Sequence, residues 1–92
     1  MMNRFDGVEF NEMYELIPDD SRKSFYGKAK VLINTKTETE YLLSYSTIVA
    51  AKKGGKVYRI WDGWSATTGR HIKAFCGMGK AQFDKESIRK AV

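Results

Sequence analysis

Apolar and polar positions repeat with two different periods along this chain. Phe10, Met13, Tyr14 and Ile17 recur at i, i+3, i+4 and i+7, which predicts a short amphipathic helix over residues 9–17. Pro18 stops it, because the proline ring excludes helical geometry from the residue before it. Asp19-Asp20-Ser21 then reads as a polar turn, and Phe25-Tyr26-Gly27 returns the chain to apolar surface. From residue 28 to 34 the period changes to two. Ala29, Val31 and Ile33 face one way and Lys28, Lys30 and Asn34 the other, the pattern of a half-buried strand. A turn over residues 35–38 leads to a longer strand, residues 39–51, rich in Tyr, Leu, Ile and Val. Its phase slips around Ser44-Tyr45-Ser46, so a bulge or bend is expected there. Lys52-Lys53-Gly54-Gly55-Lys56 is a hairpin signal, since paired glycines supply the positive φ a tight turn needs, and residues 57–61 form the third strand.

The helical period resumes at residue 66. Ser65 is suited to N-cap a helix over residues 66–76, in which Thr68, Ile72, Phe75 and Cys76 share a face. Gly69 is costly inside a helix and therefore points to a close packing contact, expected on the sheet. Gly77-Met78-Gly79 ends the helix. Asp84 is placed to cap a final short helix with Ile88 and Val92 one turn apart. The expected architecture is α+β: a three-stranded antiparallel meander with helices packed on one face, in the order α-β-β-β-α-α. Ninety-two residues make this a single domain, residues 1–92, with an acidic N-terminal helix or arm over 1–20 and a basic body over 24–92.

Charge sharpens that division. Residues 1–20 carry six acids against Arg4 alone, a net −5. The rest carries fifteen bases against five acids, a net +10. Such asymmetry implies either an acidic arm lying on a basic body or two faces meeting different partners. With 42% hydrophobic and 13% aromatic residues the chain reads as a packed globule. One Cys excludes an internal disulfide, and one Cys with one His makes no zinc site unaided, so no metal and no cofactor are expected. No apolar run is long enough to span a bilayer, and the first residues lack the apolar core of a secretory signal.

Candidate chemistry narrows further on geometry. Asp62, Ser65 and His71 have the residue types of a triad, but six positions along a helix amount to about 600° of rotation and about 9 Å of rise, so Ser65 and His71 diverge. His71 and Cys76 lie about 140° apart on the same helix and also fail to meet. His71 is expected to bond locally to Thr67, and Cys76 to act as a small buried hydrophobe. Gly77-Met78-Gly79-Lys80 and Gly54-Gly55-Lys56 lack the upstream Gly and the Ser or Thr of a nucleotide-binding loop, and read as turns. Glu9, Glu12 and Glu15 drift around the first helix as a solvated face. No catalytic residue is expected, and the chain is not read as an enzyme.

The basic surface remains. Lys52, Lys53 and Lys56 cluster on the hairpin, Arg59 lies on the adjoining strand, and Arg70 and Lys73 share a helical stripe. Tyr58, Trp61 and Trp64 interleave with them, a pairing that grips phosphates and stacks bases, although tryptophans buried between sheet and helix satisfy the same pattern. Lys52, Lys53, Lys56, Arg59, Trp64, Arg70 and Lys73 are the expected partner- or nucleic-acid-binding residues.

Two stretches carry a resemblance. Ser44-Tyr45-Ser46-Thr47-Ile48-Val49-Ala50, followed after a hairpin by Trp64-Ser65-Ala66-Thr67-Thr68-Gly69-Arg70-His71-Ile72-Lys73-Ala74-Phe75, is similar to a group of small proteins encoded by bacteriophages and prophages. With Ser24-Phe25-Tyr26-Gly27-Lys28-Ala29 the likeness covers about residues 24–92 and leaves the acidic segment outside. The resemblance implies host takeover or counter-defence, a role that includes anti-CRISPR inhibitors acting by stoichiometric binding. A topological likeness to double-stranded RNA-binding domains lacks their Lys-Lys-x-Ala-Lys helix start, the matching place here being Ser-Ala-Thr-Thr-Gly.

The expected function is therefore a phage-derived binding protein that inhibits a bacterial defence nuclease, with a CRISPR effector as candidate. The alternative is a nucleic-acid-binding phage regulator. The implied partner is a host defence protein or ribonucleoprotein, or nucleic acid itself, with no membrane involved. The expected state is monomer or homodimer, and the expected compartment the cytoplasm of the bacterial host. The acidic N-terminal segment is a second contact candidate, as a nucleic-acid mimic.

Overall fold

The computed structural model describes residues 2–5, 7–17 and 27–86. The expected turn at Asp19-Asp20-Ser21, the Phe25-Tyr26 return and the Ile88–Val92 stripe lie outside these residues. The chain runs β1 (Asn3–Phe5), β2 (Val8–Phe10), β3 (Glu12–Glu15), β4 (Ala29–Asn34), β5 (Thr39–Ser44), β6 (Thr47–Lys53), β7 (Lys56–Arg59), α1 (Ala66–Cys76) and α2 (Lys80–Asp84). β1 and β2 form a two-stranded sheet, and β3 to β7 form a five-stranded antiparallel sheet in sequence order.

This mostly-β architecture overturns the α-β-β-β-α-α reading. Residues 9–17 are not a helix. They pass through β2, which hairpins onto β1, and β3, which pairs with β4 from Glu12↔Ile33 to Glu15↔Lys30. An isolated helix shorter than about 12 residues is marginal in water, whereas β4 gives β3 backbone partners along one side and makes it the edge strand of the sheet. The sequence Asp-Gly at positions 6–7 is a hairpin dipeptide that signals this outcome.

The long strand expected over residues 39–51 is two strands. The chain reverses at Tyr45-Ser46, so that Ser44 faces Thr47. The expected irregularity does exist, but inside the pairing: Leu42↔Ala50 and Leu43↔Ile48 leave Val49 as the extra residue of a bulge. Val49 O then accepts from both Ile60 N and Trp61 N, at 3.0 and 3.1 Å.

The sheet is buried on both sides, which removes the clean alternation a one-sided strand would show. On one face Val31, Leu42, Val49 and Ala50 pack with Ile72 and Phe75 of α1 and Phe83 of α2. On the other, Leu32, Tyr41, Leu43, Ile48 and Ala51 are covered by Val8 and Phe10 of the β1–β2 hairpin. The helices do lie on one face; the second cover is a β-hairpin.

α1 keeps its predicted bounds. Ser65 Oγ accepts from Thr68 N at 3.1 Å, and Gly77, with φ +78, closes the other end by donating to Lys73 O. Gly69 packs against Trp64 rather than the sheet: a Cβ there would lie 2.4 Å from Trp64 Cζ2. Asp84 ends α2 rather than starting a helix.

Candidate functional site

The expected contact residues divide into two groups. Three of them are engaged inside the fold. Arg59 is 7% exposed, and its guanidinium donates to Trp61 O, Phe83 O and Asp62 O at 2.8, 3.3 and 2.8 Å. It also stands 3.5 Å from Asp84 and 4.9 Å from the centre of the Phe83 ring. Arg59 thus ties α2 and the loop after β7 to the sheet, a use that its five donors in a planar fork suit. Lys52 Nζ donates to Phe75 O at 2.8 Å and sits 4.4 Å over the Phe75 ring, holding a carbonyl at the C-terminal end of α1. Trp64 lies between Gly69 and Phe83, its ring centre 5.9 Å from that of Phe83.

The other four face outward. Lys53 and Lys56 flank the β6–β7 turn, and Arg70 and Lys73 lie one near-turn apart on the outer side of α1. Lys52 binds the end of α1, so the hairpin and the C-terminal end of the helix adjoin. Lys80 and Lys85, on and just after α2, extend the same helical layer and are also exposed. The sequence reading passed over these two, although the density of Lys after residue 72 was the available signal. α1 carries no acidic residue, and the one acid of α2, Asp84, is paired with Arg59.

Several acids line the β3 edge and the β4–β5 turn. Glu12 and Glu15 are exposed on β3, and Glu38 and Glu40 border an open concavity of about 450 Å³ together with Ile33 and Thr35. Tyr14 beside Glu40 has its phenol pushed up, by burial first and then by the carboxylate charge and hydrogen bond. Asn11 anchors this edge, donating through Nδ2 to Thr35 Oγ1 at 2.7 Å and accepting from Thr35 N at 3.0 Å.

A third constellation was not visible in the sequence. Ser44 Oγ lies 2.8 Å from His71 Nδ1 and 3.0 Å from Thr68 Oγ1. His71 therefore bonds across 27 residues to the end of β5, a distant partner in addition to anything within its own helix. A Ser–His pair at this distance has the spacing of an activated nucleophile. Ser44 is 3% and His71 1% exposed, however, which suits a pin between sheet and helix. Burial, and after it the neighbouring Arg70 charge, lowers the His71 pKa, so the neutral imidazole is the folded form near pH 7. Above the pin stands Tyr45. It is half exposed with φ +56, its ring centre 5.7 Å from that of His71 and 5.7 Å from Lys28 Nζ. Cys76 is half-buried, donates to Ile72 O at 3.3 Å and has its thiol pushed up chiefly by burial.

Among the described residues no three His, Cys, Asp or Glu side chains are grouped to hold a metal ion. No described helix is long and apolar enough to cross a membrane. Residues 14–91 match the model of a family of unknown function, DUF8033, and the chain belongs to that family. The match takes in the five-stranded sheet almost whole together with both helices, and leaves out β1 and β2. No curated protein and no solved structure matches the chain.

Proposed function

We propose that this chain works by stoichiometric binding, its basic helical layer meeting a polyanionic surface on a larger partner. The observation that carries the reading is the exposed pair Arg70 and Lys73 on α1, a helix with no acidic residue of its own, whose C-terminal end adjoins the hairpin of Lys53 and Lys56. A single-sign stripe of this kind speeds encounter with an opposite surface and suppresses wrong partners. The likeness of residues 44–50 and 64–75 to small phage proteins supplies the context. The partner we favour is a bacterial defence nuclease, a CRISPR effector ribonucleoprotein in particular, blocked where it meets acidic protein surface or nucleic acid.

The test is expression in a bacterium with active CRISPR interference, challenged with a targeted phage. The wild-type chain is expected to restore plaques. The fourfold reversal Lys53→Glu, Lys56→Glu, Arg70→Glu, Lys73→Glu is expected to abolish the effect with the fold intact by circular dichroism. Full protection of the phage by the reversed variant refutes this surface.

A further inference from the structure

Two-residue hairpin loops close when the first loop residue, or both, takes a positive φ, and glycine and asparagine fill those places by default. The β6–β7 loop follows the rule with Gly54 at φ +60 and Gly55 at φ +79. The β5–β6 loop has the same length, set by the pair Ser44↔Thr47, yet the residue at positive φ, +56, is Tyr45. An aromatic residue in that region strains the backbone, and such strain at an exposed position points to function. Burial does not repay it, because Tyr45 is 51% exposed.

The rest of the turn holds that ring in place. Tyr45 N donates to Lys28 O at 2.7 Å, and Ser44, the residue before it, is fixed to α1 through His71 and Thr68. Lys28 Nζ lies 5.7 Å from the ring centre, and Arg70 follows the same helix one residue before His71, on its exposed side. A planar ring mounted on a pinned turn, with the Lys28 ammonium over it, matches the chemistry of a nucleotide, a flat base carrying a phosphate. An acidic protein surface would be met by the basic stripe alone and gives no reason to keep an aromatic where the turn asks for glycine.

We propose that Tyr45 is a base-stacking residue for single-stranded nucleic acid, with Lys28 leaving the ring to hold the phosphate of the stacked base. This rests on the basic-layer reading above and names its polyanion.

The test uses the full chain and fluorescence anisotropy with labelled oligothymidine of about twelve nucleotides, a length within the usual site sizes, against a duplex of equal length. Wild type binds the single strand more tightly than the duplex. Tyr45→Phe keeps that preference. Tyr45→Gly weakens single-strand binding about tenfold and leaves duplex binding unchanged, while its thermal midpoint stays at or above that of wild type. Arg70→Glu with Lys73→Glu weakens both substrates. If that double reversal changes neither affinity, the basic-layer reading fails; if it weakens both and Tyr45→Gly changes neither, only the stacking assignment fails. No single-strand binding by wild type overturns the proposal. So does a midpoint below wild type in both Tyr45→Gly and Tyr45→Asn, which would make the contacts with His71 and Lys28 the reason for the ring.

Discussion

The two turns that bracket β6 solve one geometric problem in opposite ways. At one end Gly54 and Gly55 supply two positive φ angles with nothing within 4 Å of where their side chains would be, and the flanking Lys53 and Lys56 are exposed. At the other end Tyr45 takes the positive φ, and beneath it lies a buried hydrogen-bonded cluster of Ser44, Thr68 and His71. The glycine turn is locally determined: its own residues make it. The tyrosine turn is held from outside, since a residue with little left-handed preference of its own stays there because the sheet and α1 over-determine its neighbours. Local chemistry therefore builds one end of β6, and tertiary contacts build the other.

That contrast can be broken most strongly from below. His71→Leu removes the ring that Ser44 Oγ bonds to and leaves that buried hydroxyl with Thr68 Oγ1 in its place, so a loss of about 3 kcal/mol is expected. Urea unfolding of the variant measures it. A loss under about 1 kcal/mol would show that the pin is dispensable and that the Tyr45 turn is as self-sufficient as its counterpart.

The glycine end is expected to respond less. Gly54→Val or Gly55→Val meets open space and acts through the backbone alone, at a cost of about 1–2 kcal/mol. Equal midpoints for wild type and both variants would remove the distinction between the two turns from that side.

The smallest effect sharpens the comparison by pH. His71 has its pKa lowered in the folded chain by burial and by Arg70. Below the unfolded value of about 6.5 the unfolded chain takes up a proton that the folded chain resists. Stability is then complete above that pH and falls as acid carries the solution down through the folded pKa. Thermal midpoints at pH 7.5 and pH 5 should accordingly differ more in wild type than in His71→Leu. An equal slope in the two would place the acid sensitivity elsewhere.

What the sequence disclosed follows the same division between local and distant causes. α1 was legible to the residue because its cap, its apolar stripe and its terminal glycine are all local signals: Ser65, Ile72 with Phe75, and Gly77. β4 and the β6–β7 hairpin were legible for the same reason. The N-terminal segment misled because Phe10, Met13, Tyr14 and Ile17 happen to match a helical period, whereas Phe10 pairs with β1 and Met13 and Tyr14 pair with β4, seventeen or more residues later. The β5–β6 turn escaped because its positive φ falls on a tyrosine. Of the contact residues, Lys53 and Lys56 were placed outward by the glycine hairpin, and Arg70 and Lys73 by helical period. Arg59 was not foreseen as internal, since its acceptors belong to Trp61, Asp62 and Phe83, and only the packing of α2 brings the last of these to it. Ser44 and His71, 27 positions apart, meet only once the register of β5 against α1 is set.

One mechanical result comes from how α1 is fastened. Thr68 and His71 lock its first half to the end of β5, and Lys52 grips the carbonyl of Phe75 near its last turn. A rod clamped at two points along its length cannot roll about its long axis. The guanidinium-bearing and ammonium-bearing positions on its far side therefore keep a constant bearing and a constant spacing, like graduations on a ruler, and whatever docks there meets a surface whose ordering entropy was spent when the chain folded.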